Sequence, residues 1–201
     1  MSNKKHWDEI YTTKTPEEVS WTEDYPQMSI ELIAKFNVPK FAKIIDIGGG
    51  DSRLVDALLE QSYTNITVLD ISESAIDRAK ARLGQKAEQV KWVVSDILDF
   101  SPPESYDLWH DRAVFHFLTK QNDIAKYLHR LTQMGTRHLV IGTFSPSGPL
   151  KCSGLEITQY DEAKLKTTFG NEFKILECFT ADHITPFDTV QNFTFARMSK
   201  K

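Results

Sequence analysis

Three aspartates and a run of glycines in the first half of the chain are spaced so that they can hold a nucleoside. The stretch Ile44-Ile45-Asp46-Ile47-Gly48-Gly49-Gly50-Asp51-Ser52-Arg53-Leu54 sets a glycine turn between an apolar run and an amphipathic one. Glycine adopts positive φ and carries no Cβ, so a ligand can lie directly on such a turn. Turns of this kind also serve phosphates, dinucleotides and plain chain reversal. Beyond it, Val68-Leu69-Asp70 places a carboxylate about twenty residues on, where it can accept hydrogen bonds from both hydroxyls of a ribose. Next, Val94-Ser95-Asp96-Ile97-Leu98 offers a carboxylate to the exocyclic amine of adenine and an aliphatic cover for its ring in Ile97. One acid at a strand end is ordinary turn chemistry. Asp46, Asp70 and Asp96 at the ends of consecutive strands, around a glycine turn, form a ligand floor. The third position of the dinucleotide fingerprint needs a small residue for pyrophosphate access, and here it is Arg53.

These residues need a scaffold that delivers strand ends side by side. After Pro39 the chain alternates short β-rich apolar runs with helical stretches, the pattern of stacked βα units and a parallel sheet. Lys43–Ile47, Ile66–Leu69, Val90–Val94, Tyr106–Trp109 and Leu139–Gly142 read as strands. Ser52–Gln61, Ser72–Leu83 and Asp123–Met134 carry apolar residues at helical spacing and read as crossover helices. The last segment differs: Phe173–Phe179 and Gln191–Met198 follow one another around a turn marked by Pro186 and Asp188, which predicts an antiparallel pair at one edge. The expected fold is therefore α/β, a Rossmann-like seven-stranded sheet with one antiparallel edge strand and helices on both faces. Residues 1–40 lack strands and read as an N-terminal helical cap on a core of residues 41–201, the whole being one domain.

Composition narrows the setting. A chain of 201 residues with 40% hydrophobic content fits one sizeable core and leaves no room for a second ordinary domain. No stretch matches a membrane span, and the start carries no apolar signal core, so a cytoplasmic protein without a membrane partner is expected. A net charge of -4 gives no field for a phosphate backbone, which argues against nucleic acid as partner. The 2 cysteines, Cys152 and Cys178, lie in different elements, and the scattered histidines have no metal-ligand spacing; no metal is expected.

Taken together, the segments from Lys43 to Met198 resemble the class I S-adenosylmethionine (SAM)-dependent methyltransferases. The resemblance implies that Asp46, Gly48, Gly49 and Gly50 form the floor under methionine and ribose. It likewise implies that Asp70, with Ile71 beside it, holds the ribose and that Asp96 and Ile97 hold adenine. SAM has no pyrophosphate, so Arg53 is no obstacle. His6-Trp7-Asp8-Glu9-Ile10-Tyr11 and Val19-Ser20-Trp21 look like the aromatic cap of small members, which makes Trp21 a cofactor contact; Trp7 and Tyr11, four residues apart, equally suit a staple to the core. After the fourth strand, Trp109-His110-Asp111-Arg112-Ala113 is similar to the thiopurine-methyltransferase-like branch, in which an Asp-Arg pair lies between cofactor and acceptor. The Asn- or Asp-Pro-Pro-aromatic motif of enzymes that methylate nucleobases is missing there, and Pro102-Pro103 precedes the strand.

The implied function is methyl transfer from SAM to a small-molecule acceptor, leaving S-adenosylhomocysteine (SAH). Protein-lysine methylation and a non-catalytic SAM-binding module are the alternatives. Displacement of this kind relies on alignment and desolvation, and a base helps where the acceptor starts protonated. Asp111, Arg112 and His116 are the catalytic candidates. His116, one helical turn past Arg112, can share its face as a base, or pack as a neutral ring among Phe115, Phe117 and Leu118. Arg112 suits an acidic acceptor, the carboxylate of SAM, or an internal salt bridge. The turn-rich stretch from Phe144 to Gly154 is expected to shape the acceptor pocket, with Cys152 a packed thiol, and His183 belongs to the last hairpin.

Overall fold

The computed structural model describes residues 3–101 and 104–201, so Pro102 and Pro103 lie outside the described residues. The N-terminal residues read as a cap form α1 (Lys4–Thr13) and α2 (Gln27–Ala34), separated by a 3-10 turn at Pro16–Glu18. The core then runs β1 (Ile44–Ile47), α3 (Leu54–Glu60), β2 (Ile66–Asp70), α4 (Glu73–Leu83), β3 (Val90–Val94), β4 (Leu108–Arg112), α5 (Gln121–Gln133) and β5 (His138–Phe144). A hairpin of β6 (Lys151–Cys152) and β7 (Leu155–Glu156), then α6 (Glu162–Phe169), β8 (Phe173–Ile184) and β9 (Val190–Lys200), complete the chain.

Seven strands form one sheet in the order β3-β2-β1-β4-β5-β9-β8. The first five are parallel, and β9 runs antiparallel to both β5 and β8, so the expected antiparallel pair closes one edge with β8 outermost. Residues of alternating parity feed two cores, as the two-residue period of a strand requires. Ile45, Ile47, Trp109, Leu139 and Ile141 pack with Tyr127 and Leu131 of α5 and with Leu165 and Phe169 of α6. Ile44, Ile66, Val68, Leu108 and Val140 pack on the other face with Leu32, Leu54 and Leu58 of α2 and α3. Parallel strands covered on both faces are mostly apolar, and β1 and β2 are buried at every position, with Asp46, Thr67 and Asp70 their polar members.

Two differences from the expected elements matter for the site. The fourth strand begins and ends later than Tyr106–Trp109, carrying His110, Asp111 and Arg112 into the sheet between β1 and β5. Such polar residues escape a hydropathy reading because partners distant in sequence help to satisfy them: Asp46 and Ser29 for His110, Tyr127 for Asp111 and Glu23 for Arg112. The segment after Phe144 is also more regular than a loop: it forms the small hairpin and α6, whose N-cap Asp161 accepts a hydrogen bond from Lys164 N at 2.8 Å.

Candidate active site

A cavity of about 560 Å³ lies over the carboxyl ends of the central strands, beneath the cap. Its floor is the glycine turn. Gly48 sits at φ +67°, and a Cβ there would run into the Val114 side chain. At Gly50 a Cβ would come within 2.5 Å of the Ala75 Cβ and 2.6 Å of Asp70 Oδ2, so this position excludes any side chain. The turn is held from below by Arg82 of α4, which donates to the carbonyls of Asp51 (3.2 Å) and Ser52 (2.8 Å) and pairs with Asp56 Oδ2 at 2.9 Å. Sequence reading passes over Arg82, since some thirty residues separate it from the turn it clamps and no local pattern marks the link.

Asp70 sits at the tip of β2 and lines the cavity. Gly50 N donates to its Oδ2 at 3.0 Å and Ser72 N to its Oδ1 at 2.8 Å, which fixes the carboxyl while leaving lone pairs on both oxygens. Burial pushes its pKa up to about 6, against the lowering pull of those two N–H groups. Asp96, whose Oδ1 accepts from Leu98 N at 3.0 Å, lines the cavity with Ile71 and Ile97 at the β2–β3 end.

The cap closes the roof with aromatic rings. Trp7 meets Trp21 edge-on at 5.7 Å and Phe117 at 5.3 Å, and Tyr11 meets Trp21 at 6.2 Å; all four line the cavity. Trp7 and Tyr11 thus pack against Trp21 while facing the cavity. Polar contacts fasten α1 to the start of α4: Ser72 Oγ donates to Asp8 Oδ1 at 2.7 Å, and Thr12 and Ser74 hydroxyls lie 3.4 Å apart. Ser72 therefore connects the cap helix to the Asp70 carboxyl through its own backbone N–H.

Beyond β1 the wall becomes polar. Asp46 Oδ1 lies 2.7 Å from His110 Nδ1, and His110 Nε2 lies 2.8 Å from Ser29 Oγ on α2; all three residues are buried and line the cavity. Asp46 Oδ2 is buried without a partner. Arg112 donates from Nη1 to the Trp21 carbonyl at 3.0 Å, pairs with Glu23 at 3.2 Å and lies over the Phe193 ring at 4.9 Å. Burial pushes Glu23 up, but the His183 hydrogen bond and the Arg112 charge outweigh it and hold its carboxyl below the usual range. His183 also reaches the Ser20 carbonyl at 2.6 Å, so it ties residues 20–23 to the last hairpin. Cys152 joins the lining as a packed thiol, which burial pushes up to about 12.

The structure gathers Trp21, Asp46, Gly48, Gly49, Asp70, Ile71, Asp96, Ile97 and Arg112 around one cavity, with Gly50 directly beneath it. Asp111 and His116 do not line it. Both Asp111 oxygens are engaged, Oδ1 by the N–H groups of Val114 (3.1 Å) and Phe115 (3.0 Å), Oδ2 by the Tyr127 hydroxyl at 2.7 Å. Burial raises its pKa to about 6. His116 is fully buried against Phe117 and Phe144, and burial, with the Arg112 charge, depresses its pKa to about 3. It is a neutral ring packed in the core, the second of the two readings open at that position. Conversely, Ser29 carried no signal in the sequence, and His110 appeared only within the stretch around Asp111; a serine in a helix and a histidine in a strand become partners only through the fold.

Residues 45–137 match a family model described as a methyltransferase domain. The chain is 24% identical over 128 residues to malonyl-[acyl-carrier protein] O-methyltransferase 1 of Ilyobacter polytropus, covering 61% of this chain and 47% of that protein. It is 32% identical over 88 residues to human N-terminal Xaa-Pro-Lys N-methyltransferase 1, covering 43% of this chain and 39% of that one. The chain thus spans less than half the length of these curated relatives. Among solved structures, it superposes on Burkholderia thailandensis 1,6-didemethyltoxoflavin-N1-methyltransferase, solved with its substrate and SAH. The TM-score is 0.72 and the identity 16%, over 99% of this chain and 84% of that chain. With a methyltransferase family model over its β1–α5 core and a matching architecture over nearly its whole length, the chain has the class I SAM-dependent methyltransferase fold.

Proposed function

We propose that the chain binds SAM in the cavity and passes the methyl group to a small-molecule acceptor, with SAH as the product. One observation carries the reading: at the tip of β2 a buried carboxylate, Asp70, is fixed by Gly50 and Ser72 with free lone pairs on the cavity, beside a glycine turn that admits no Cβ. The donors and acceptors present fit the cofactor. Asp70 would take the ribose hydroxyls, Asp96 with Ile71 and Ile97 the adenine, and the Gly48–Gly50 turn the methionine end, where Asp46 Oδ2 lacks a partner. Bound there, SAM supplies a methyl group activated by its sulfonium. The chain contributes alignment and water exclusion, through the floor from β1 to β3 and the Trp7, Tyr11 and Trp21 roof. Arg112 would stand at the acceptor end as a fixed positive charge.

The aromatic rings of Trp7, Tyr11 and Trp21 over the cavity favour a small acceptor, and residues 1–40 and 41–201 are read as cap and core of one domain. No helix among the described residues is long and apolar enough to cross a membrane; a cytoplasmic location goes with this reading. Calorimetry with SAH tests cofactor binding, and a folded protein that ignores saturating SAH would refute it. Incubation with labelled SAM and cell extract tests the acceptor, with label expected in the low-molecular-weight fraction. Label in protein would favour the second reading, which the likeness to a protein N-methyltransferase supports. SAH binding with no transfer to either fraction would favour a non-catalytic module.

A further inference from the structure

We propose that Ser29, His110 and Asp46 form a relay that removes the proton of the acceptor during methyl transfer, an assignment that rests on the methyltransferase reading above. Its consequence is a substrate class: the acceptor arrives protonated at the atom to be methylated, as a hydroxyl or thiol does.

The geometry is that of an acid-oriented imidazole. A carboxylate only accepts hydrogen bonds, so the 2.7 Å contact places the imidazole proton on His110 Nδ1, toward Asp46. Nε2 is left with a lone pair, and Ser29 Oγ at 2.8 Å donates to it. All three residues line the cavity, and Ser29 Oγ, at the end of the chain opposite Asp46, is the relay's outer end. The two residues that spacing nominated as bases cannot serve this end of the cavity, since Asp111 is spent on Val114, Phe115 and Tyr127 and His116 is sealed in the core. A proton arriving on His110 would set an imidazolium against Asp46 Oδ1, with Oδ2 left for the methionine end of SAM. The other charged groups around His110 are Asp111 and Arg112 on β4 and Glu23 in the segment before α2. Arg112 is already countered by Glu23.

As the acceptor atom bonds to the methyl carbon, the carbon–sulfur bond breaks and its electron pair stays on sulfur. The acceptor's proton passes to Ser29 Oγ while the serine's own proton moves to His110 Nε2, leaving an imidazolium against Asp46. The proton returns through Ser29 to solvent once product has left.

The test follows label from tritiated SAM into the acceptor fraction of cell extract between pH 6 and 9, for wild type, Ser29→Ala, Ser29→Thr and His110→Gln, alongside the SAH affinity of each protein. Ser29→Ala is expected to keep SAH affinity within about twofold while losing roughly 100-fold or more in transfer rate. Ser29→Thr, which retains a hydroxyl, recovers most of the rate, and His110→Gln loses rate to the same extent as Ser29→Ala. Wild-type rate and pH profile in Ser29→Ala would overturn the relay and leave the chain as a buried tie between α2 and the sheet. SAH binding without transfer to any component would also reject it, since no reaction would exist for it to serve. Failure to bind SAH would instead refute the methyltransferase reading itself.

Discussion

Asp70 sets the desolvation of a buried carboxyl against the ligand role proposed for it. Burial raises its pKa to about 6, so in the free protein it takes up a proton well above the range of an exposed carboxyl. Ribose hydroxyls need the carboxylate as acceptor, so SAH affinity is expected to rise as pH increases through 6 and to level off above 7, which calorimetry across that range would show. Replacement by alanine should weaken SAH binding by about 1–3 kcal/mol through loss of charged hydrogen bonds; an unchanged affinity would place the ribose elsewhere. For stability the sign is opposite. A carboxyl with a raised folded pKa contributes stability that is present at low pH and lost as pH climbs through about 6, and Asp111 behaves likewise. His116, depressed to about 3 by burial, contributes stability that is present above the ordinary imidazole range and lost as pH falls toward 3. His116→Phe should therefore melt with a weaker acid dependence between pH 6.5 and 3 than wild type; an identical dependence would mean that the ring is already solvated.

At the scale of elements, the glycine turn and the cap are joined through the first turn of α4. Ala75, close under the turn, and Ser72, the N-cap of that helix, both belong to it, and Ser72 grips Asp8 of α1 as well as Asp70. A methyl at Gly50 has nowhere to go, so Gly50→Ala is expected to weaken SAH binding by about 1–3 kcal/mol through displacement of the turn or of Asp70. Equilibrium binding to the folded variant decides it. Asp8→Ala severs the link between the cap and Ser72, and the amides of α1 should then exchange faster with solvent while those of β1 and β2 keep their protection. Equal exchange in both proteins would show that the aromatic contacts of Trp7 and Tyr11 hold the cap unaided.

For the whole molecule, cofactor binding is a stability measurement. Cap and sheet both touch the cavity, so a ligand seated there binds the native chain and not the unfolded one. SAH at about 100 times its dissociation constant should add about 2.7 kcal/mol, or roughly 5–10 °C in melting temperature for a chain of this size. The same logic separates sites: saturating NAD should give no such shift, because Arg53 stands where a pyrophosphate would need a small residue.

The sequence alone determined the alternation of strands and helices, the closing antiparallel pair and the glycine turn with its strand-end acids. Each of these is local: hydropathy period, glycine without a Cβ, and acids at the tips of Ile66–Asp70 and Val90–Val94 are read from neighbours in the chain. The fourth strand blurred for the same reason, since His110, Asp111 and Arg112 look like a turn until β1 and β5 flank them. Only the tertiary structure decided which polar groups face the cavity. Asp111 and His116 turn inward to Tyr127 and Phe144, while Ser29, from another element, meets His110. Which side chain ends up exposed to a ligand depends on long-range partners and burial, and those are properties of packed surfaces that no run of adjacent residues encodes.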